Sequence, residues 1–110
     1  MPASPQELES MLTPERLPRV AFFLDGYLRQ GFAAEHGSAA GAAWAYAQDA
    51  ELDELEELGA EWAVLRAAAE ALPLARFNRL LGERFGSSWQ ATAAAEVEAV
   101  GREIERALRE

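Results

Sequence analysis

Residues 51–73 read ELDELEELGAEWAVLRAAAEALP, and this stretch decides the fold. Leu52, Leu55, Leu58, Trp62, Leu65 and Ala69 recur at spacings of three and four, the period of one helix face. Asp53, Glu54, Glu56, Glu57 and Glu61 take the opposite face. Acidic residues crowd the first turns, where the helix dipole favours negative charge. Pro73 either stops this helix or opens the next one at its first position. An apolar stripe of this length needs other elements to cover it.

Those elements are also helical. Ser4, Pro5 and Glu7 read as N-cap, first helical residue and capping-box glutamate of a short helix through Met11, and Thr13-Pro14 restarts the chain in the same way. Pro18 opens a core helix with Val20, Phe23, Leu24, Tyr27 and Leu28 inward, ending near Gln30-Gly31. Ser38 is the next N-cap, and Ala43, Tyr46 and Ala47 share one side of its helix, with Trp44 beside them. Many small residues there let another helix approach closely, and Asp49 offers a break and a new cap. After Pro73, Leu74, Phe77, Leu80 and Leu81 face inward, with Gly82 and Gly86 as C-terminal stops. A last helix to about Leu108 places Ala93, Val97, Val100, Ile104 and Leu108 on its apolar face. No segment alternates as a strand. The expected fold is all-α: five to six helices in a compact bundle, one domain over residues 1–110, with short helices over residues 1–17.

With 110 residues, half of them hydrophobic, the chain can bury a core, though its alanines make that core thin. The formal net charge of -9 repels phosphate backbones and argues against a nucleic-acid partner. It suits a basic protein partner, or simply solubility. There is no cysteine, hence no disulfide and no thiolate. No apolar run approaches the roughly 20 residues that span a bilayer, and the first residues lack a signal-peptide pattern. The expectation is a cytoplasmic protein that binds no membrane.

Residues 24–38, LDGYLRQGFAAEHGS, crowd glycines and aromatics around the only histidine. His36 beside Glu35 has the chemistry of a metal ligand or general base. A zinc site needs three or four protein ligands, and no second histidine or cysteine exists. The structural reading is a histidine at a helix junction, bonding a backbone carbonyl. The acidic run DAELDELEEL, residues 49–58, lacks the glycine and alternating oxygens of a calcium loop and reads either as a solvated face or as a docking face for basic side chains. No G-x-S-x-G elbow and no phosphate-cradling loop is present. The residues point to a binding module with no catalytic residue, cofactor or metal.

Residues 23–50, FLDGYLRQGFAAEHGSAAGAAWAYAQDA, resemble the N-terminal signature of the small helical immunity proteins of contact-dependent growth inhibition systems. Gly26, Tyr27, Leu28, Gln30, Phe32, Gly37, Ser38 and Tyr46 carry the likeness, and LGERFGSSWQ at residues 81–90 looks like the family's second landmark. Arg29 stands where the family often has histidine, and Gly31 where it often has aspartate. The resemblance spans about residues 18–108. It implies a protein that binds and neutralises a cognate toxin domain, often a nuclease, without catalysis. Charge and expected exposure, independently of the resemblance, nominate Asp49, Asp53, Glu54, Glu57 and Glu61 as contacts, with Glu35 and His36 at the adjacent loop. The residues alone serve equally a small helical adaptor with an unrelated partner, and the alanine-rich faces are compatible with a homodimer.

Overall fold

The computed structural model describes residues 4–110, so residues 1–3 of the sequence reading lie outside the described residues. Seven helices follow in order: α1 Pro5–Met11, α2 Pro18–Tyr27, α3 Phe32–His36, α4 Ala39–Asp49, α5 Leu52–Ala71, α6 Leu74–Phe85 and α7 Ala94–Arg109. No strand occurs among the described residues. The all-α expectation holds, with one or two more helices than the periodicity indicated.

α5 is the axis of the molecule. It packs chiefly on α7 and also against α1, α2 and α6, while α4 leans on α7 and α3 sits on α4. Its Leu55, Leu58, Trp62, Leu65 and Ala69 are buried as the stripe requires. Leu52 is not: at 65% exposure, on the first residue of α5, it stands in solvent. Trp62 is the largest fully buried side chain. Its ring meets Phe23 of α2 edge-on at 5.6 Å, and its indole N–H donates to the Val97 carbonyl of α7 at 2.9 Å. Burial of an indole is tolerable only with such a partner.

Close approach of α5 and α7 depends on glycine. A Cβ on Gly59 would press Ile104 and Leu108, and one on Gly101 would collide with the Arg66 side chain. Arg66 lies across α7 there and is ion-paired with Glu98 and Glu105. The sequence pattern did not indicate this clamp, since neither partner lies within one helical turn of Arg66.

Several boundaries differ from the sequence reading. Thr13-Pro14 starts a turn, not a helix: the Thr13 hydroxyl accepts the Arg16 N–H at 3.3 Å, and the Leu17 N–H reaches the Thr13 carbonyl. α2 ends at Tyr27, one turn early, because Leu28 leaves helical dihedrals and buries its side chain in the core. The residues taken as a loop after Gly31 form the short helix α3, entered through Gly31 at φ 88°. Asp49 closes α4 and caps nothing; Glu51 caps α5, in a reciprocal capping box with Glu54. Trp44 points outward, Ala93 is exposed, and Gly82 lies inside α6. Gly86, at φ 66°, is the true stop, with the Ser87 N–H returning to the Leu81 carbonyl. Ser4 and Ser38 cap α1 and α4 as read, their hydroxyls accepting the Glu7 and Gly41 N–H.

Two helical glycines yield opposite expectations. A Cβ on Gly41 would overlap the His36 backbone carbonyl, so Gly41→Ala forces the α3–α4 junction apart and should destabilise by about 1–3 kcal/mol, against the roughly 1 kcal/mol that alanine gains in a helix. Gly82 faces open space inside α6, so Gly82→Ala should stabilise by up to about 1 kcal/mol. Urea unfolding followed by circular dichroism reads both signs. Trp62→Ala, in the same assay, should cost about 3–5 kcal/mol.

Candidate acidic and aromatic interface

The acidic residues of α5 divide into two groups. Glu61 is half-buried and turns toward α2, accepting the backbone N–H of Arg19 at 2.8 Å and of Val20 at 3.0 Å. α2 has no capping side chain of its own, its N-cap position being Leu17. A carboxylate from 41–42 residues away in sequence therefore satisfies two of its free donors and sits at the positive end of its dipole. Burial pushes the Glu61 carboxyl above the ordinary carboxylate range, the two N–H donors opposing that shift. Glu61 is thus removed from the exposed contacts that its position on the polar face of the helix suggested.

Glu57 and Glu54 meet the Arg19 side chain, at 2.8 and 3.4 Å. Arg19 thereby ties α2 to α5 with its backbone on Glu61 and its guanidinium on the two exposed turns. Asp53 lies in solvent, and so does Glu56 between the two groups. The oxygens of Glu51, Asp53 and Glu54 come within 4.8 Å of one another, which makes them the one group of potential metal ligands among the described residues. They are engaged at the N-terminus of α5: the Glu54 N–H donates to Asp53 Oδ1 at 3.0 Å and the Glu51 N–H to Glu54 Oε1 at 3.4 Å.

Asp49, at the end of α4, accepts the Tyr27 hydroxyl at 3.4 Å. Glu35 and His36 lie beyond Tyr27 on α3. Glu35 pairs with Arg29 at 3.1 Å, and His36 Nε2 stands 3.8 Å from Glu35. The His36 ring stacks on Tyr27 at 6.0 Å and 25°, so the residue is held by its flat face and not by the backbone carbonyl expected of it.

Tyr27 is the centre of an aromatic chain that also contains Phe23 and Tyr46. Tyr27 and Tyr46 meet edge-on at 5.3 Å, and Tyr46 meets Phe23 edge-on at 5.6 Å. Where α2, α4 and the start of α5 converge, Phe22, Tyr27, Tyr46, Asp49, Ala50 and Glu54 enclose a cleft of about 130 Å³. Phe22 is 58% exposed at its mouth. Asp49 and Glu54, two of the nominated residues, are thus on one cleft; Glu57 is a turn away; Glu35 and His36 flank it behind Tyr27. Sequence reasoning missed Phe22 and Tyr46 as site residues. Phe22 sits off the apolar stripe of α2, and that was the available signal.

A larger groove, apolar and about 510 Å³, runs between α1 and the second half of α5, bounded by Leu8, Met11, Val64 and Ala67. No helix of the described residues is long and apolar enough to cross a membrane. No family model, curated protein or solved structure matches this chain.

Glu61 generates a stability test. Glu61→Ala strips two N–H donors of their partner and should cost about 1–3 kcal/mol. Glu61→Gln keeps an acceptor oxygen and should cost less. Because the folded state raises this carboxyl, it holds the proton more tightly than the unfolded chain does. Its contribution is therefore complete below the ordinary carboxylate value and declines as pH rises through the higher folded one. Urea midpoints measured across that window should fall less steeply in Glu61→Gln than in the parent.

Proposed function

We propose that this chain is a non-catalytic immunity-type protein that binds and neutralises a cognate toxin domain through the acidic surface formed by α2, α4 and the first half of α5. The observation that carries the reading is the combination at one end of the bundle. Phe22, one of the three large apolar side chains left exposed among the described residues, shares a cleft with Asp49 and Glu54, and Asp53, Glu56 and Glu57 are exposed on the first turns of α5. Apolar anchors inside a charged rim are the composition of a protein-binding surface. A net charge of -9 adds long-range attraction for a basic partner, and a nuclease presents such a surface to its substrate. The resemblance of residues 23–50 to contact-dependent growth inhibition immunity proteins supports the same reading. So does the placement of Tyr27 and Tyr46, which carry that resemblance and both line the acidic cleft.

Mechanistically, occlusion is sufficient. Carboxylates that occupy the phosphate-binding surface of a nuclease exclude its substrate by charge and by volume, and no bond is made or broken. Association would be fast and salt-dependent, and the apolar anchors would slow dissociation.

Co-expression with its cognate toxin domain should restore growth to cells that express the toxin and yield a stable complex. Asp53→Arg with Glu56→Arg is the informative double variant. Both residues are exposed, and no ion pair among the described residues includes either, unlike Glu54 and Glu57, which hold Arg19. The parent association rate should drop steeply as the Debye length shrinks from about 30 Å to about 8 Å between 0.01 and 0.15 M salt. The double variant should associate several-fold more slowly with unchanged circular dichroism. Equal rates for parent and variant at low salt would remove the acidic surface from the mechanism.

A further inference from the structure

We infer that the cleft between Phe22, Tyr27 and Tyr46 is a binding site for a single arginine side chain. It rests on the reading above insofar as the arginine is placed on the protein that the acidic face meets. Four observations converge on it. The Tyr46 side chain is 98% buried, being 2% exposed, yet its hydroxyl has no hydrogen-bond partner among the described residues. A buried phenol left in that state is costly, and the residue that carries it lines the cleft. Two carboxylates, Asp49 and Glu54, stand on the same cleft. Three aromatic rings complete its wall, with Phe22 exposed at the mouth.

This donor set selects the ligand. An anion is repelled by Asp49 and Glu54. A purely apolar group would desolvate both carboxylates and leave the Tyr46 hydroxyl unpaired. A cation with several N–H groups satisfies all of them. Guanidinium suits the site better than ammonium. Its flat face stacks on an aromatic ring while its edge donates in fixed directions, to a phenol oxygen on one side and a carboxylate on another. Glu54 already shows this affinity, holding the chain's own Arg19 at 3.4 Å. Glu54 and Glu57 share Arg19, and no ion pair among the described residues includes Asp49, so the local charge stays negative with that arginine in place.

The test uses the full chain and N-acetyl-arginine amide as the probe, followed by two-dimensional NMR. Saturable shifts should concentrate on Tyr27, Tyr46, Ala50 and Glu54. N-acetyl-citrulline amide, of equal shape and no charge, and N-acetyl-lysine amide should each bind more weakly, by about five-fold for citrulline, the size of one cation–π contact at a partly exposed site. Asp49→Asn and Tyr46→Phe should each weaken the arginine probe. Tyr46→Phe should leave the urea midpoint unchanged or higher, since its hydroxyl has no bond to lose. Non-saturating shifts, shifts spread over the carboxylates of α7 as well, or equal response to citrulline would each overturn the assignment. The two proposals fail separately. Cleft-specific binding of the probe beside a salt-insensitive toxin association would sink the immunity reading alone. Slowed association in the Asp53 and Glu56 double variant, with no probe binding, would sink the arginine site alone.

Discussion

The molecule depends on the burial of one indole. Trp62 sits in the middle of α5 with its ring edge against Phe23 of α2 and its N–H on the Val97 carbonyl of α7. Those contacts fasten three helices that are far apart in sequence. In an alanine-rich chain few side chains have the volume to do this, and alanine at this position would leave a cavity that small neighbours cannot fill. The aromatic chain that begins at Trp62 continues through Phe23 to Tyr46 and Tyr27, so the packing of the core reaches the surface as the wall of the acidic cleft. Core and candidate site are one continuous structure.

The same continuity sorts the carboxylates. On a chain with 19 acidic residues and 10 basic ones, acidity by itself identifies nothing. The fold divides these groups by what they touch. Glu61 caps α2, Glu98 and Glu105 hold Arg66, and Glu9 holds Arg76. Arg66 draws the Glu98 carboxyl below the ordinary range, and Arg76 does the same for Glu9. These groups favour the folded state as pH rises above that range, opposing the trend set by Glu61. Asp49, Asp53 and Glu56 remain at the surface, and Glu54 and Glu57 share a single arginine. Two of these carboxylates, Asp49 and Glu54, stand with Phe22 on one cleft.

The candidate site was partly legible. Asp49, Glu54 and Glu57 were readable because an exposed acidic helix face follows from periodicity. His36 drew attention as the only histidine, but its place is explained by a flat stack on Tyr27 and by Gly41, which admits the His36 carbonyl at the α3–α4 junction. Tyr46 reads in the sequence as one more core residue. Its burial is indeed that of a core residue; the hydroxyl without a partner is what sets it apart, and no spacing rule reports that.

By itself the sequence determined the all-α class, the apolar faces of α2, α5, α6 and α7, and the serine caps of α1 and α4. All of these rest on interactions within a few residues of chain, where helix geometry fixes which side chains meet. Tertiary structure alone decided that Glu61 caps a helix some 40 residues away, that Leu52 and Trp44 stay in solvent, and that Arg66 crosses α7 at Gly101. It also decided that two tyrosines from different helices close one acidic cleft. The reason is physical: periodicity states which face of a helix is apolar, whereas the partner of each polar group depends on where the helices cross.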